Sequence, residues 1–478
     1  MITRGRGSAA TVRSYRVACR CLQFLWGLTD APAAISEKEP GGCDVRTRSS
    51  KRRTNFGCEP NLGSTYPYSA AKCEWKRARL APRAACIDLE ERRNVRTEPR
   101  VLLDATAIPA ERGGVGRYVD SLAAALDAQG TALSIVCQTA DAGQFASLAP
   151  HSRIVPIATE LSSRPARLTW EQTTLPRLAR RLPVDVIHSP HYTMPLRAGV
   201  PVVVTLHDAT FFSDQQLHLG VKGRFFRGWT RTSLRLAAVC VVPSVATATE
   251  LRRVVSADPQ RLVVAHHGVD SERFHRPSAA EIAAAADYLK LEAKGWIAFL
   301  GTLEPRKNVP ALIRAYVRAA ADARDRASFP ALVLAGSPGW DQAIEPALAA
   351  VPVDLQVLRA GHLPVEMLSG FLGGAALVTY PSLGEGFGLP VLEAMACGAA
   401  VLTTRRLSLP EVGGEAVAYS DVGAGDIAEA LSSLLFDPTR RRELAAAAVA
   451  RAAEFTWANS AQCHQEAYDR AAALGKAR

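Results

Sequence analysis

The amino-acid sequence predicts an α/β protein of two doubly wound domains, each a parallel sheet with helices on both faces. Three observations carry this. Short Val/Ile/Leu runs without polar alternation recur along the chain, which is how strands buried on both faces read. Helical stretches separate most of them, the rhythm of βαβ units. The scheme then occurs twice, over residues 100–277 and again over 278–454, followed by a helical tail at 455–478. Two such domains imply a cleft between them, with ligands at the C-terminal ends of the strands.

In the first half a buried strand is expected at 100–105. The glycine turn Gly113-Gly114-Val115-Gly116 follows, then an amphipathic helix through Tyr118–Leu126. Further strands are expected at 133–137, 184–187, 202–206, 239–242 and 262–265. In the second half they are expected at 296–300, 331–335, 355–358, 376–380 and 400–404, with helices at 310–323 and 390–396 among those between. The segment 274–285, with Pro277 and Ser278 before an alanine-rich helix start, suits the join between halves. From Arg440 onward the alanine-rich chain reads as helix.

The chain has 478 residues and a formal net charge of +11, but residues 1–99 carry +9 of it. The charge therefore marks the head of the chain and is no nucleic-acid signature for the body. The head holds six of the ten cysteines without a repeated zinc spacing, and shows no sustained helical or strand period. Arg20 and Asp30 interrupt its apolar stretch, against a secretory signal, and ten acidic residues argue against a transit peptide. Residues 1–99 are expected to be a disordered or non-native extension. No run of about 18 residues is apolar and uncharged, so no spanning helix is expected.

Four stretches carry candidate chemistry. Pro381-Ser-Leu-Gly384-Glu385-Gly386-Phe387-Gly388-Leu389-Pro390 runs from a strand into a helix that bears Glu393. Its glycines permit positive φ and close approach to a ligand. Pro390 suits the first helical turn, and the helix's free N–H groups make an anion site. Glu385 and Glu393 can line one pocket there; carboxylates beside an anion site need hydroxyl donors, as on a sugar or ribose. The alternative is a tight turn with a solvated helix carboxylate.

Gly301-Thr-Leu-Glu304-Pro-Arg306-Lys307-Asn308 sits at the next strand–helix junction, with Asn308 able to cap the helix. Arg306 and Lys307 lie where the helix dipole disfavours cations, so an anion such as a diphosphate should join them. An exposed charged loop is the alternative. Lys307 is one of only five lysines after residue 99. The Gly113-Gly114 turn is either a close approach to substrate or a structural turn. His207 ends the strand at 202–206, pointing into the predicted cleft; a structural role is the alternative. No His/Cys/Asp set has metal-ligand spacing, and neither a G-x-S-x-G elbow nor a Walker loop is present.

Together these features resemble the retaining glycosyltransferases of family 4, with the GT-B fold, over roughly residues 100–475. The resemblance rests on Gly-Thr-Leu-Glu-Pro-Arg-Lys-Asn, the Glu-x₇-Glu spacing from Glu385 to Glu393, the glycine turn with Arg117-Tyr118, and the His207-Asp208 strand end. The last two look like bacterial mannosyltransferase-like members. The resemblance implies that Arg306 and Lys307 bind the donor diphosphate and stabilise it as leaving group, and that Glu393 holds the nucleotide ribose. Glu385 would face the donor sugar, with the backbone of Phe387, Gly388 and Leu389 around sugar and phosphate. His207 would sit near the donor sugar on the acceptor side, and Gly113 and Gly114 in a loop closing toward the diphosphate. The last helix would cross back to the first domain.

The implied activity is transfer of a hexose from a nucleoside-diphosphate sugar to a sugar or lipid-linked acceptor, without metal or other cofactor, in the cytoplasm or at the inner membrane face. GDP-mannose is the first choice of donor, on subfamily appearance alone. An epimerase or another GT-B enzyme, and a non-catalytic sugar-nucleotide binder, are the competing readings. The basic-aromatic stretch Phe211, Phe212, Arg224–Trp229 and Arg231 could face a membrane or pack as an amphipathic helix. Lys307→Ala and Glu385→Ala are expected to fold normally and lose transfer.

Overall fold

The computed structural model describes residues 98–476, apart from 109–111, 159–160, 162, 214–219, 292–294, 322 and 324–325. The extension expected over residues 1–99 lies outside the described residues except for Glu98 and Pro99.

Both expected sheets are present. The first comprises β1 (Val101–Asp104), β2 (Leu133–Gln138), β3 (Arg153–Ile157), β4 (Val186–Ser189), β5 (Val202–Thr205), β6 (Val239–Val242) and β7 (Leu262–Val264), in the order β3-β2-β1-β4-β5-β6-β7. The second comprises β8 (Trp296–Leu300), β9 (Ala331–Ala335), β10 (Val357–Gly361), β11 (Leu377–Tyr380), β12 (Val401–Thr404) and β13 (Ala418–Ser420), in the order β10-β9-β8-β11-β12-β13. Every pairing is parallel. Every residue of β1, β4, β5, β6, β9, β11 and β12 is buried, as a sheet covered on both faces requires.

Two strands were absent from the expectation. β3 carries Arg153 and Pro156 and is half exposed, so its apolar run is broken; proline is tolerated there because the strand is an edge. β13 is a three-residue edge.

In each sheet the strand order reverses once, between β1 and β4 and between β8 and β11. Connections leave such a switch point in opposite directions and open a crevice at the strand ends. That topology brings the loop after β8 and the loop after β11 together across 70 to 80 residues of sequence. Helix α1 (Gly114–Ala128) follows the glycine turn and buries Tyr118, Leu122 and Leu126, one side chain per turn. Helices α2 (Val245–Val255), α3 (Val309–Ala321), α4 (Leu389–Ala396) and α5 (Leu409–Gly413) leave β6, β8, β11 and β12 respectively.

The chain ends in α6 (Trp457–Lys476), which packs on α1 and on β4 to β7 of the first sheet. Its attachment is a one-way hydrogen-bond chain. The Ser460 carbonyl can only accept, so His464 Nδ1 donates to it at 2.7 Å and Nε2 accepts from the Tyr118 hydroxyl at 2.9 Å. The Tyr118 oxygen therefore accepts from Thr205 at 2.8 Å, and Thr205 from His188 Nε2 at 2.8 Å. His188 Nδ1 then accepts from Tyr468 at 2.9 Å. Burial pushes the pKa of His464 down to about 4 and that of His188 well below its usual value, so both stay neutral and the chain is satisfied at every link.

Candidate active site

The crevice at the strand ends is a cavity of about 890 Å³, lined from the first sheet by Gly113, Gly114, Arg117 and His207 and from the second by Arg306, Lys307, Glu385 and the 386–390 turn. That volume lies within the range of small-molecule sites.

Arg306 and Lys307 form a single 3-10 turn after β8, with Lys307 buried. Anions do join the two cations, as their position required, and here they are carboxylates of the same domain. Lys307 Nζ lies 2.7 Å from Glu385 Oε1, Arg306 pairs with Glu385 Oε2, and Arg306 also reaches Glu304 at 2.7 Å. Glu385 Oε1 further accepts from Ser382 at 2.6 Å and from Tyr380 at 3.0 Å, and Lys307 also contacts the Tyr380 hydroxyl. Burial alone would raise the Glu385 carboxyl; the two cations outweigh it and hold its pKa at about 2. Burial, then Arg306, lowers the pKa of Lys307. The cluster is thus a pre-set group of two cations and two carboxylates at the switch point of the second sheet.

Two other expectations are corrected here. Asn308 does not cap α3 with its side chain. It adopts φ 58° as the turn's last residue and donates to the Val422 carbonyl at 2.9 Å. Of Gly384, Gly386 and Gly388, only Gly388 has positive φ, at 105°, as the residue before α4. Gly386 is needed for a different reason: a Cβ there would lie 1.8 Å from the His207 carbonyl oxygen of the first domain.

Leu389 begins α4, Phe387 is buried, and both face the cavity with Gly388. Glu393, one turn on, does not line it. Arg117 does, and its Nη1 lies 2.6 Å from Glu393 Oε1. Glu393 is 3% exposed, its Oε2 has no partner, and neither does Arg117 Nε. Burial raises the Glu393 carboxyl and Arg117 opposes that.

His207 follows β5. Its Nε2 donates to the Pro190 carbonyl at 2.7 Å, which leaves Nδ1 as the acceptor nitrogen, and burial lowers its pKa. Its ring meets Tyr118 edge-on at 5.0 Å. Gly113 and Gly114 have open space where a Cβ would stand. The site therefore unites nine of the ten sequence-predicted residues on one cavity, with Glu393 screened by Arg117. Sequence reasoning gave no role to Tyr380 and Ser382, which follow from lying within five residues of Glu385 at the end of a buried strand.

In the basic-aromatic stretch, Phe211, Phe212 and Trp229 are buried, Arg227 donates to the Phe211 carbonyl at 2.9 Å, and Arg231 lies over the Phe212 ring. The aromatic face belongs to the core; Arg224 and Arg231 are exposed. No helix among the described residues is long and apolar enough to cross a membrane, and none of their His, Cys, Asp and Glu side chains cluster as a metal site would require.

Comparison with known proteins agrees with this fold. Residues 112–273 match the model of Glycosyltransferase Family 4, and residues 280–451 that of Glycosyl transferases group 1. The O-antigen chain mannosyltransferase B of Escherichia coli is 31% identical over 276 residues, 57% of this chain and 71% of that protein. The serotype-specific mannosyltransferase WbdA of Escherichia coli is 32% identical over 293 residues, but the alignment spans 59% of this chain and only 35% of WbdA. A D-inositol 3-phosphate glycosyltransferase of Arthrobacter is 27% identical over 75% of this chain and 90% of its own length. Among solved structures, Anabaena HepE in complex with UDP and glucose superposes with a TM-score of 0.60 at 17% identity, covering 77% of this chain and 98% of that one. Sucrose-phosphate synthase of Thermosynechococcus elongatus does so with 0.61 at 21% identity, covering 79% and 99%. With a family 4 model on the first domain, a group 1 model on the second and the GT-B arrangement of its sheets, the chain belongs to the family 4-like glycosyltransferases.

Proposed function

We propose that the protein is a retaining hexosyltransferase that moves mannose from GDP-mannose to a sugar or lipid-linked acceptor without a metal ion, in the cytoplasm or at the inner membrane face. The observation that carries the reading is the placement of Arg306 and Lys307 at the switch point of the second sheet, beside the N-terminus of α4 and across the cavity from His207. The choice of mannose draws on the names of the mannosyltransferase relatives.

The chemistry needs charge compensation where the leaving group departs. Breaking the glycosyl–phosphate bond sends the electron pair to the diphosphate oxygen. Arg306, Lys307 and the free N–H groups of α4 would stabilise that charge without a metal ion. The diphosphate takes the cations over from Glu385, whose carboxylate then accepts from a donor-sugar hydroxyl. The acceptor hydroxyl attacks the anomeric carbon on the face the diphosphate leaves, and its proton passes to the departing phosphate oxygen. His207, neutral at pH 7, contributes an acceptor nitrogen on the acceptor side. Glu393 takes the ribose hydroxyls once Arg117, which screens it from the cavity, gives it up. Arg224 and Arg231 supply the charge for a peripheral membrane contact.

A donor screen tests this: isothermal titration with GDP and UDP, then hydrolysis of GDP-mannose, UDP-glucose and related donors, with and without EDTA. Mannose release from GDP-mannose that EDTA leaves intact, with the α-anomer kept in the transfer product, is expected. Nucleotide binding without turnover of any donor would favour a non-catalytic binder; absence of binding would sink the reading.

A further inference from the structure

Helix α2 of the first domain begins with three N–H groups that need partners. Only one is met from its own chain segment: Ser244 accepts from Thr247 N–H at 3.0 Å. The other two point at the second domain. Val245 N–H donates to Glu411 Oε1 at 2.8 Å and Ala246 N–H to Oε2 at 3.0 Å. His266 Nε2 meets the same carboxylate at 2.6 Å. Glu411 lies in α5, directly after the β12 strand, and its own carbonyl is held by Arg451 at 2.8 Å. A carboxylate from one domain thus caps a helix of the other, with both oxygens engaged by the positive end of the helix dipole.

The same helix start also grips the donor loop. The Ser244 and Thr247 hydroxyls both donate to the Gly386 carbonyl, at 2.6 and 3.0 Å. Ser244 is fully buried and Thr247 nearly so. On the second-domain side, Ser408 Oγ lies 2.8 Å from the carbonyls of Glu385 and of Phe387. The loop 385–387 is therefore pinned between Ser408 behind and α2 in front, and its Gly386 Cα rests against the His207 carbonyl.

We propose that Glu411 is a positioning residue that latches the domains shut by capping α2, and so sets Glu385 and Phe387 against His207. Neither the carboxylate nor α2 lines the cavity, so the role is indirect. The latch makes assembly of the site conditional on closure, a usual way to keep water from a reactive donor.

The test compares Glu411→Ala, Glu411→Gln and Gly386→Ala with the full-length protein. Gly386 has no positive φ, so its methyl acts by steric opposition to His207 rather than by backbone strain. Small-angle scattering should give Glu411→Ala and Gly386→Ala a larger radius of gyration than wild type. In Glu411→Ala, hydrolysis of the donor should fall at least tenfold in kcat while GDP and UDP affinities stay within threefold, since Glu411 touches Val245, Ala246 and His266 and none of Arg306, Lys307 and Glu393. Glu411→Gln, which keeps the shape but loses the charge, should fall between. Equal radii, or a Glu411→Ala kcat within twofold of wild type, would overturn the proposal. So would a loss of turnover that merely tracks nucleotide affinity or melting temperature. The kcat arm rests on the transfer activity proposed above. If wild-type protein binds no nucleotide that reading fails, and the scattering comparison alone decides the latch.

Discussion

Arg117 of the first domain holds Glu393 of the second through a single contact of 2.6 Å, which leaves Glu393 Oε2 and Arg117 Nε both buried and without partners. A carboxylate held by one oxygen in a dry site is a poor resting contact, because an unmet buried acceptor costs about 1–3 kcal/mol. A vicinal diol could satisfy both oxygens where the guanidinium satisfies one. Arg117 is then a competitor for the ribose carboxylate. Glu393→Ala should weaken GDP or UDP binding about tenfold or more, whereas Arg117→Ala should bind at least as tightly as wild type, read by titration calorimetry. Equal losses in the two variants would show that Arg117 supports the nucleotide rather than excluding it.

The Lys307–Glu385–Arg306 cluster alters what the two substitutions there should do. A charge-assisted hydrogen bond is worth about 1.5–3 kcal/mol, so Lys307→Ala should lower donor turnover by about ten- to a hundredfold or more while melting near wild type. Glu385→Ala is different: it strips a shared partner from two buried cations, and breaking a buried pair in this way costs about 3–5 kcal/mol. Its melting temperature should fall, so Glu385→Gln is the variant whose turnover speaks for the chemistry. A Lys307→Ala protein with wild-type turnover on its proper donor would remove the diphosphate assignment.

The chain of hydrogen bonds that fastens α6 predicts an acid limb in stability. In the unfolded chain His464 takes a proton near 6.5; in the fold its pKa is about 4. The unfolded state therefore binds more protons between these values. The contribution of the neutral ring is present above pH 6.5 and is lost as pH falls toward 4, about 3 kcal/mol for a group shifted this far. His188 shifts in the same direction and adds to the slope. Chemical denaturation at pH 7.5, 6, 5 and 4.5 should show the decline, and His464→Gln should flatten it. A His464→Gln profile parallel to wild type would mean that the ring does not titrate against folding.

The basic-aromatic stretch offers a membrane its charges and little aromatic surface, with Phe225 and Phe226 half-buried. Phe211, Phe212 and Trp229 are buried, so insertion of these rings into lipid is not available without unfolding. Any membrane attraction should be electrostatic and fade within the salt range that screens exposed charges, with a Debye length of about 8 Å at 0.15 M. Co-sedimentation with anionic vesicles should fall when Arg224 and Arg231 are neutralised and again when salt is raised. Salt-resistant binding would point to a different surface.

Much of the fold was legible because the buried strands announce themselves: Trp296–Leu300 and Ala331–Ala335 were expected at the boundaries observed. Runs of this kind are uninterrupted only where both faces are covered, which is why the edge strands Arg153–Ile157 and Ala418–Ser420 escaped. The site residues were visible as motifs, but their pairings were not. Lys307 meets Glu385 across 78 residues, and nothing local to either reports the other. The same holds for Arg117 with Glu393 and for Glu411 with α2, where the partner lies in another domain. Pro390 in the first turn of α4 and positive φ at Gly388 were as expected, while positive φ at Gly384 and Gly386 and the Asn308 side-chain cap were not. Asn308 closes the turn before α3 at φ 58° and its amide nitrogen donates to the Val422 carbonyl, a partner 114 residues away that nothing local announces.

The return of the chain in α6 changes what kind of joint the two domains share. The polypeptide crosses between them twice, near residues 265–278 and again near 453–457. The crossings are tied together, with Val269 N–H donating to the Phe455 carbonyl at 3.0 Å and Gly268 so close to Trp457 that a Cβ would lie 2.1 Å from its nitrogen. A single linker is a tether that permits swivelling about any axis. Two adjoining crossings act as the pins of a door and leave one axis of rotation. Glu411 stands beside these pins, its carboxylate on His266 of the first crossing and its carbonyl on Arg451 just before the second, so a contact at the axis itself bears on how far the door turns.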